Sequence, residues 1–251
     1  MLNYIKAELW KVSRRKNFYL VMGILLFLAH LFGFIYSGSS FPALAAGVCD
    51  TMITGFVAVP ALTQMVDSGF GETLRNEVSF GLRREEIYLG KLFSGILLGM
   101  SLCAVLVGGV LVSGWLFLPH GGVREELTAL VILGFCLTAA LPVWCGMMGL
   151  CHMLATVIRS QSVWITLYFV GFFFGQTVVA GILLFLTGGR VDLSTPGAAQ
   201  SVLMPWTLLL SDHLSGKLNL WFLGRCWMVG TGWLGVTSAA GLLALHRREI
   251  H

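Results

Sequence analysis

The chain has 251 residues, of which 57% are hydrophobic and only 11% charged, and its mean hydropathy is +0.84. Soluble domains carry about 25% charged residues, so there is too little polar side chain here to cover a water-facing surface, and a soluble domain is excluded. The formal net charge of +4 does not point to nucleic acid, because the basic residues sit at the ends of apolar runs, where topology signals lie.

The apolar runs are long and do not alternate as lipid-facing strands would, so the expected class is all-α, a polytopic membrane protein. Residues 1–17 (MLNYIKAELWKVSRRKN) are too charged to span. Leu2, Ile5, Leu9 and Val12 recur at helical spacing with lysines and arginines between them, which predicts an amphipathic helix lying at the membrane interface. The remainder, residues 18–251, reads as a single transmembrane domain. Its first run, 18–36, resembles a signal peptide in its basic flank, but it reaches spanning length and more spans follow it, so it is expected to be retained. An uncharged turn leads to a second span at 44–65.

The longest water-compatible interval in the chain comes next, at 66–91. It holds the acids Asp67, Glu72, Glu77, Glu85 and Glu86 and the bases Arg75, Arg83, Arg84 and Lys91. Connectors are usually short, and one of this length tends to be functional. Further spans are expected at 92–118, 127–154, 163–186 and 220–245. Between the last two lies a segment, 187–219, containing SVLMPWTLLL. Ten helical residues rise about 15 Å, half of a ~30 Å hydrocarbon core, so this stretch is expected to be re-entrant or surface-lying and to pack on protein.

Twelve of the 16 lysines and arginines fall on the side that holds both termini and the 66–91 connector, which the positive-inside bias makes cytoplasmic. Six spans with both ends inside are expected. Among polar residues within spans, Asp50 is the only acid. It is expected either to pair with Arg225 or to line a pathway, and Gln64 and Gln176 are candidates for the same lining. Cys145, Met148 and His152 share a helical face that could suit a soft metal, but with 10 Met and 6 Cys in the chain such a coincidence is expected by chance, and no metal is assigned. The cysteines read as small buried hydrophobes. Gly95 with Gly99, and Gly171 with Gly175, form small-residue faces suited to close helix contact.

With this topology, the N-terminal MLNYIKAELWKVSRRKNFY, the run Gly71-Glu72-Thr73-Leu74-Arg75-Asn76, then Gly81-Leu82-Arg83-Arg84 and Lys91 make the chain resemble the membrane subunits of ABC type-2 exporters. It is most similar to the short permeases of bacterial bacteriocin-immunity and antibiotic-efflux systems. It departs from that pattern in placing Glu72 between Gly71 and Thr73 and Asp67 in the leading acidic position. The resemblance implies a multi-pass protein of the bacterial cytoplasmic membrane that docks a separate ATP-binding-cassette subunit. The docking set it implies is Gly71, Glu72, Thr73, Leu74, Arg75, Glu77, Val78, Gly81, Arg83 and Arg84. Leu74 and Val78 would form an apolar ridge, and Arg75 and Glu77 a charged rim.

The resemblance further implies pairing with a second permease copy or a homologue, and transport of a hydrophobic or amphipathic compound such as an antimicrobial peptide or drug. The chain lacks the G-x-x-x-x-G-K-[ST] phosphate cradle, so ATP and Mg2+ are expected in the partner and no cofactor in this chain. Ion efflux by the same architecture is the alternative. An intramembrane enzyme is a weaker one, since no H-E-x-x-H or G-x-S-x-G motif occurs.

Overall fold

A computed structural model of the chain describes residues 2–36, 40–67, 77–186, 198–209 and 219–247. Their regular elements are all helical: α1 (Leu2–Ser13), α2 (Lys16–Tyr36), α3 (Phe41–Asp50), α4 (Gly55–Asp67), α5 (Arg84–Phe117), α6 (Val123–Val157), α7 (Gln161–Leu186), α8 (Ala198–Leu203) and α9 (Leu220–Arg247). Short 3-10 turns occupy Met52–Thr54 and Pro205–Leu209.

Helices α5, α6, α7 and α9 are each long and apolar enough to cross a membrane, and α3 with α4 passes the same test as a pair bent by 45°. The pair runs the length of α5. At one end the Phe41 amide donates to the Pro119 carbonyl at 3.1 Å, just past the C-terminus of α5. At the other, Asp67 and Lys91, from the second turn of α5, line the same closely packed crevice. This places α3 and α4 as one broken span. Six spans are expected from the sequence, and the described residues hold four or five. The expected span at 18–36 falls in α2, which runs Lys16–Tyr36; the side chains of residues 32–34 lie outside the described ones, and the apolar stretch that precedes them is Phe18–Leu31.

The break between α3 and α4 frees backbone carbonyls that nothing in a hydrocarbon core could satisfy. Pro60 lacks an N–H and so leaves the Phe56 carbonyl without its helical donor; the Tyr168 hydroxyl supplies one at 2.9 Å from α7. The indole of Trp144, on α6, donates to the Met52 carbonyl at 3.3 Å. Tyr168→Phe keeps the ring and removes the donor, so it is expected to cost about 1–3 kcal/mol in equilibrium unfolding in detergent. No change would mean that the Phe56 carbonyl finds another partner.

The tightest helix contact is between α6 and α9. A Cβ on Gly146 would lie 2.7 Å from the Gly230 carbonyl oxygen, and one on Gly230 would overlap the Pro142 carbonyl. The small-residue faces expected at Gly95/Gly99 and Gly171/Gly175 play other parts. Gly95 and Gly99 abut Met148 inside the same chain, Gly175 abuts Met204, and a Cβ on Gly171 would meet nothing.

Two further expectations concern α1 and the segment before α9. Of the Leu2–Ile5–Leu9–Val12 stripe, Val12 is buried and Ile5 and Leu9 are half-buried, while Leu2 is 74% exposed. The packed face also takes in Tyr4 and Glu8 beside Val12, because α1 packs on α5 rather than lying free. The segment expected to pack on protein does so. Residues Pro205–Leu209 are all buried, Trp206 sits 5.5 Å from the Phe172 ring, and Trp233 of α9 donates to the Val202 carbonyl at 2.7 Å. Residues 187–197 and 210–218 of the outer interval lie outside the described residues.

Candidate functional site

The polar chemistry of the bundle gathers at the end where the connector leaves α4 and returns to α5. Asp67 is the last residue of α4, Tyr88 and Lys91 lie in the second turn of α5, His152 is near the end of α6, and Glu77 is on a helical turn at 77–79 ahead of α5. Helix α1 covers the group: Tyr4 lies so close to Gly90 that a Cβ there would overlap its ring.

Two buried ion pairs organise the cluster. Lys91 Nζ lies 3.4 Å from Glu77 Oε1, with side-chain exposures of 0% and 15%. His152 Nδ1 lies 2.5 Å from Asp67 Oδ2, and its Nε2 lies 3.1 Å from the Tyr88 carbonyl oxygen. A carbonyl only accepts, so Nε2 carries a hydrogen. The 2.5 Å contact on the other nitrogen also holds a hydrogen between its two atoms. Asp67 and His152 are therefore joined by a proton whichever atom bears it, and as a pair they are neutral, which suits a site lacking bulk water.

Four polar atoms of this group are buried without a hydrogen-bond partner: the Tyr4 hydroxyl, Glu8 Oε2, Asp67 Oδ1 and Glu77 Oε2. Burial, together with the nearby Glu8 and Glu77 carboxylates, holds the Tyr4 hydroxyl well above the usual phenol range, so it stays protonated. Lys11 approaches Glu8 at 3.6 Å from the exposed side of α1.

The expected docking residues divide. Gly71, Glu72, Thr73, Leu74 and Arg75 lie outside the described residues. Glu77, expected on a charged rim, instead turns inward to Lys91, because a buried ammonium needs a counter-charge more than a solvated rim needs an acid. Val78 is half-buried against the core. Gly81 sits at φ +87°, a left-handed conformation that favours glycine, and closes the turn before α5. The Arg83 amide donates to Glu86 at 3.3 Å, starting α5. Arg84 donates to the Leu245 and His246 carbonyls at 3.2 Å each, capping the end of α9. Phe80, outside the expected docking set, is 85% exposed.

The intramembrane candidates are not brought together. Asp50 is exposed at the break between α3 and α4, and no ion pair joins it to Arg225, which donates instead to the Ser201 hydroxyl. Gln64 is exposed on α4 and Gln176 is half-buried on α7. Of the Cys145, Met148 and His152 set, Met148 Sδ accepts from Thr63 at 3.2 Å and His152 is engaged by Asp67. Among the described residues no cluster of His, Cys, Asp or Glu has the geometry to hold a metal ion.

Sequence reasoning did not assemble the Asp67–His152 pair, whose members are 85 positions apart. The available signal was general: ionisable residues inside or at the ends of apolar helices are costly there and usually have partners. Fold and site define an all-helical protein, with four or five helices able to cross a membrane and a buried charge cluster at one end. No protein-family model matches the chain, and no curated protein is similar to it.

Proposed function

We propose that the chain is the permease subunit of an ATP-binding-cassette exporter, moving a hydrophobic or amphipathic compound, such as an antimicrobial peptide or drug, out of a bacterial cell. In this reading α2 completes a set of six spans in the cytoplasmic membrane and both termini are cytoplasmic. The connector between α4 and α5 docks a separate ATPase that holds the ATP and Mg2+. A second permease copy or a homologue closes the pathway, with Asp50, Gln64 and Gln176 as its candidate lining.

The observation that carries this reading is Phe80. A large aromatic side chain, 85% exposed, stands on the tight turn made by Gly81, at the polar end of the bundle rather than on its apolar flank. An aromatic anchor displayed on a fixed turn suits a pocket in a soluble partner. The neighbouring Glu77–Lys91 pair fixes that turn to α5.

Co-expression with ATP-binding-cassette subunits from the same genome tests the reading. Wild-type chain is expected to co-purify with one of them, and Phe80→Asp to lower recovery of the complex at least about tenfold, the scale of a lost interface anchor, with the thermal midpoint of the permease unchanged. If no such subunit associates with the wild-type chain, the permease reading is wrong.

A further inference from the structure

The exposed acid at the break between α3 and α4 carries an inference beyond docking. Phe41, at the start of α3, is tied to Pro119 just past α5, so α3 enters from the end of the bundle opposite the connector. Nine helical steps of about 1.5 Å place Asp50 up to ~14 Å farther in, near the middle of a ~30 Å hydrocarbon core. Arg225, the arginine expected to meet it, donates to Ser201 instead. An acid at that depth is costly unless a positive charge or water faces it.

The surroundings of Asp50 select a cation with an apolar body. Asp50 is the last residue of α3, where the negative end of the helix dipole adds to its own charge. One turn back on the same face, Ala46 lines a groove of about 570 Å3 between α3 and α6. Thr128, Ala129 and Ile132 of α6 line it too, and Arg124 and Glu125 stand toward its outer end. Side chains on a helix lean toward its N-terminus, so Asp50 leans toward Ala46 and the groove. Helix α6 stays beside α3 to this depth, since Cys49 meets Cys136, one turn beyond Ile132. The volume suits a drug-sized molecule. With Asp50 and Glu125 set against Arg124 alone, the charge of the groove is net negative.

We propose that the groove between α3 and α6 binds amphipathic organic cations, the positive group at Asp50 and the apolar body against Ala46, Ala129 and Ile132. A lipid amine headgroup stays at the membrane surface, whereas an amphipathic cation carries its own apolar body to the depth of Asp50. An anion of the same shape meets the carboxylate and the end of the α3 dipole with the wrong sign. This names the substrate class of the exporter, and its role in export rests on the permease reading; the binding itself does not.

Tetraphenylphosphonium and its size-matched anion, tetraphenylborate, test the site, with binding to the full chain in lipid nanodiscs measured at equilibrium against empty nanodiscs. Saturable binding of the phosphonium is expected, and none of the borate. Asp50→Asn keeps the side-chain shape and is expected to weaken phosphonium binding at least about tenfold, the scale of losing an opposite charge in a desolvated site. Asp50→Glu is expected to retain it. Ala46→Phe keeps the charge but fills the groove, and is expected to weaken binding with the thermal midpoint unchanged, because Ala46 is exposed. Phosphonium binding unaffected by Asp50→Asn, or equal binding of the two ions, would overturn the site. So would an Asp50→Asn chain that loses self-association but keeps its phosphonium binding, which assigns the carboxylate to a contact between copies. In the complex with the ATPase, the phosphonium is expected to raise ATP hydrolysis with the wild-type chain and not with Asp50→Asn. Asp50-dependent binding by a chain with which no ATPase associates keeps the site and sinks the permease reading. An associated ATPase without Asp50-dependent binding does the reverse.

Discussion

Replacing Lys91 with methionine is expected to destabilise the protein by about 3–5 kcal/mol, the cost of removing one partner from a buried ion pair. The side chain has no exposed surface and faces Glu77 at 3.4 Å, so the substitution removes the positive charge and leaves the carboxylate where water reaches it poorly. Methionine fills nearly the same volume, which confines the effect to electrostatics rather than to a cavity. Equilibrium unfolding in mixed micelles measures the loss. Adding Glu77→Leu to Lys91→Met is expected to recover most of it, because a paired deletion leaves no orphaned charge. A Lys91→Met protein as stable as the wild type would mean that Glu77 reaches solvent more freely than its 15% exposure indicates.

Gly230→Ala is expected to cost about 1–3 kcal/mol, the range for overpacking a close contact. A single added methyl group would overlap the Pro142 carbonyl and approach the Val143 nitrogen to 2.7 Å. These are backbone atoms, which cannot rotate away as a side chain would. Helices α6 and α9 must therefore separate, loosening Gly146 and Gly149, which pack against α9 by the same close approach. Gly232→Ala is the matched control. It lies two residues along α9 at an exposed position, and a Cβ there would meet nothing within 4 Å. Its effect is expected to be neutral or a gain approaching ~1 kcal/mol, from the better helix propensity of alanine. Equal losses at both glycines would show that the close contact with α6 does not set the cost of Gly230→Ala.

Much of the architecture was legible because bilayer-scale helices write themselves into composition. The runs at 127–154, 163–186 and 220–245 lie within α6, α7 and α9, and the run at 92–118 overruns α5 by one residue, since continuous apolar sequence of that length has few alternatives. The second span was legible as a location but not as a broken helix. Pro60 is in the sequence, yet whether a proline kinks, ends or merely interrupts a helix depends on who satisfies the freed carbonyl, here Tyr168 from α7. The glycines show the same limit. Spacing pointed to Gly95/Gly99 and Gly171/Gly175, whereas the close approach uses Gly146, Gly149 and Gly230. Small-residue spacing recurs throughout the spans, and only the packing of two helices selects the pair that meets.

The candidate site was legible only as a stretch. The connector at 66–91 stood out by polarity, and Lys91 and Asp67 by position. Glu77 was misjudged as an outward rim residue, since local sequence says nothing about a lysine 14 positions on that turns inward to meet it. By itself, the sequence determined the class: too few charges for a water-facing surface, helices of bilayer length, and no phosphate cradle. The tertiary structure alone decided which charges share one buried site. Asp67, Glu77, Lys91 and His152 come from four separated segments, and the cost of burying a charge depends on neighbours that only the folded chain supplies.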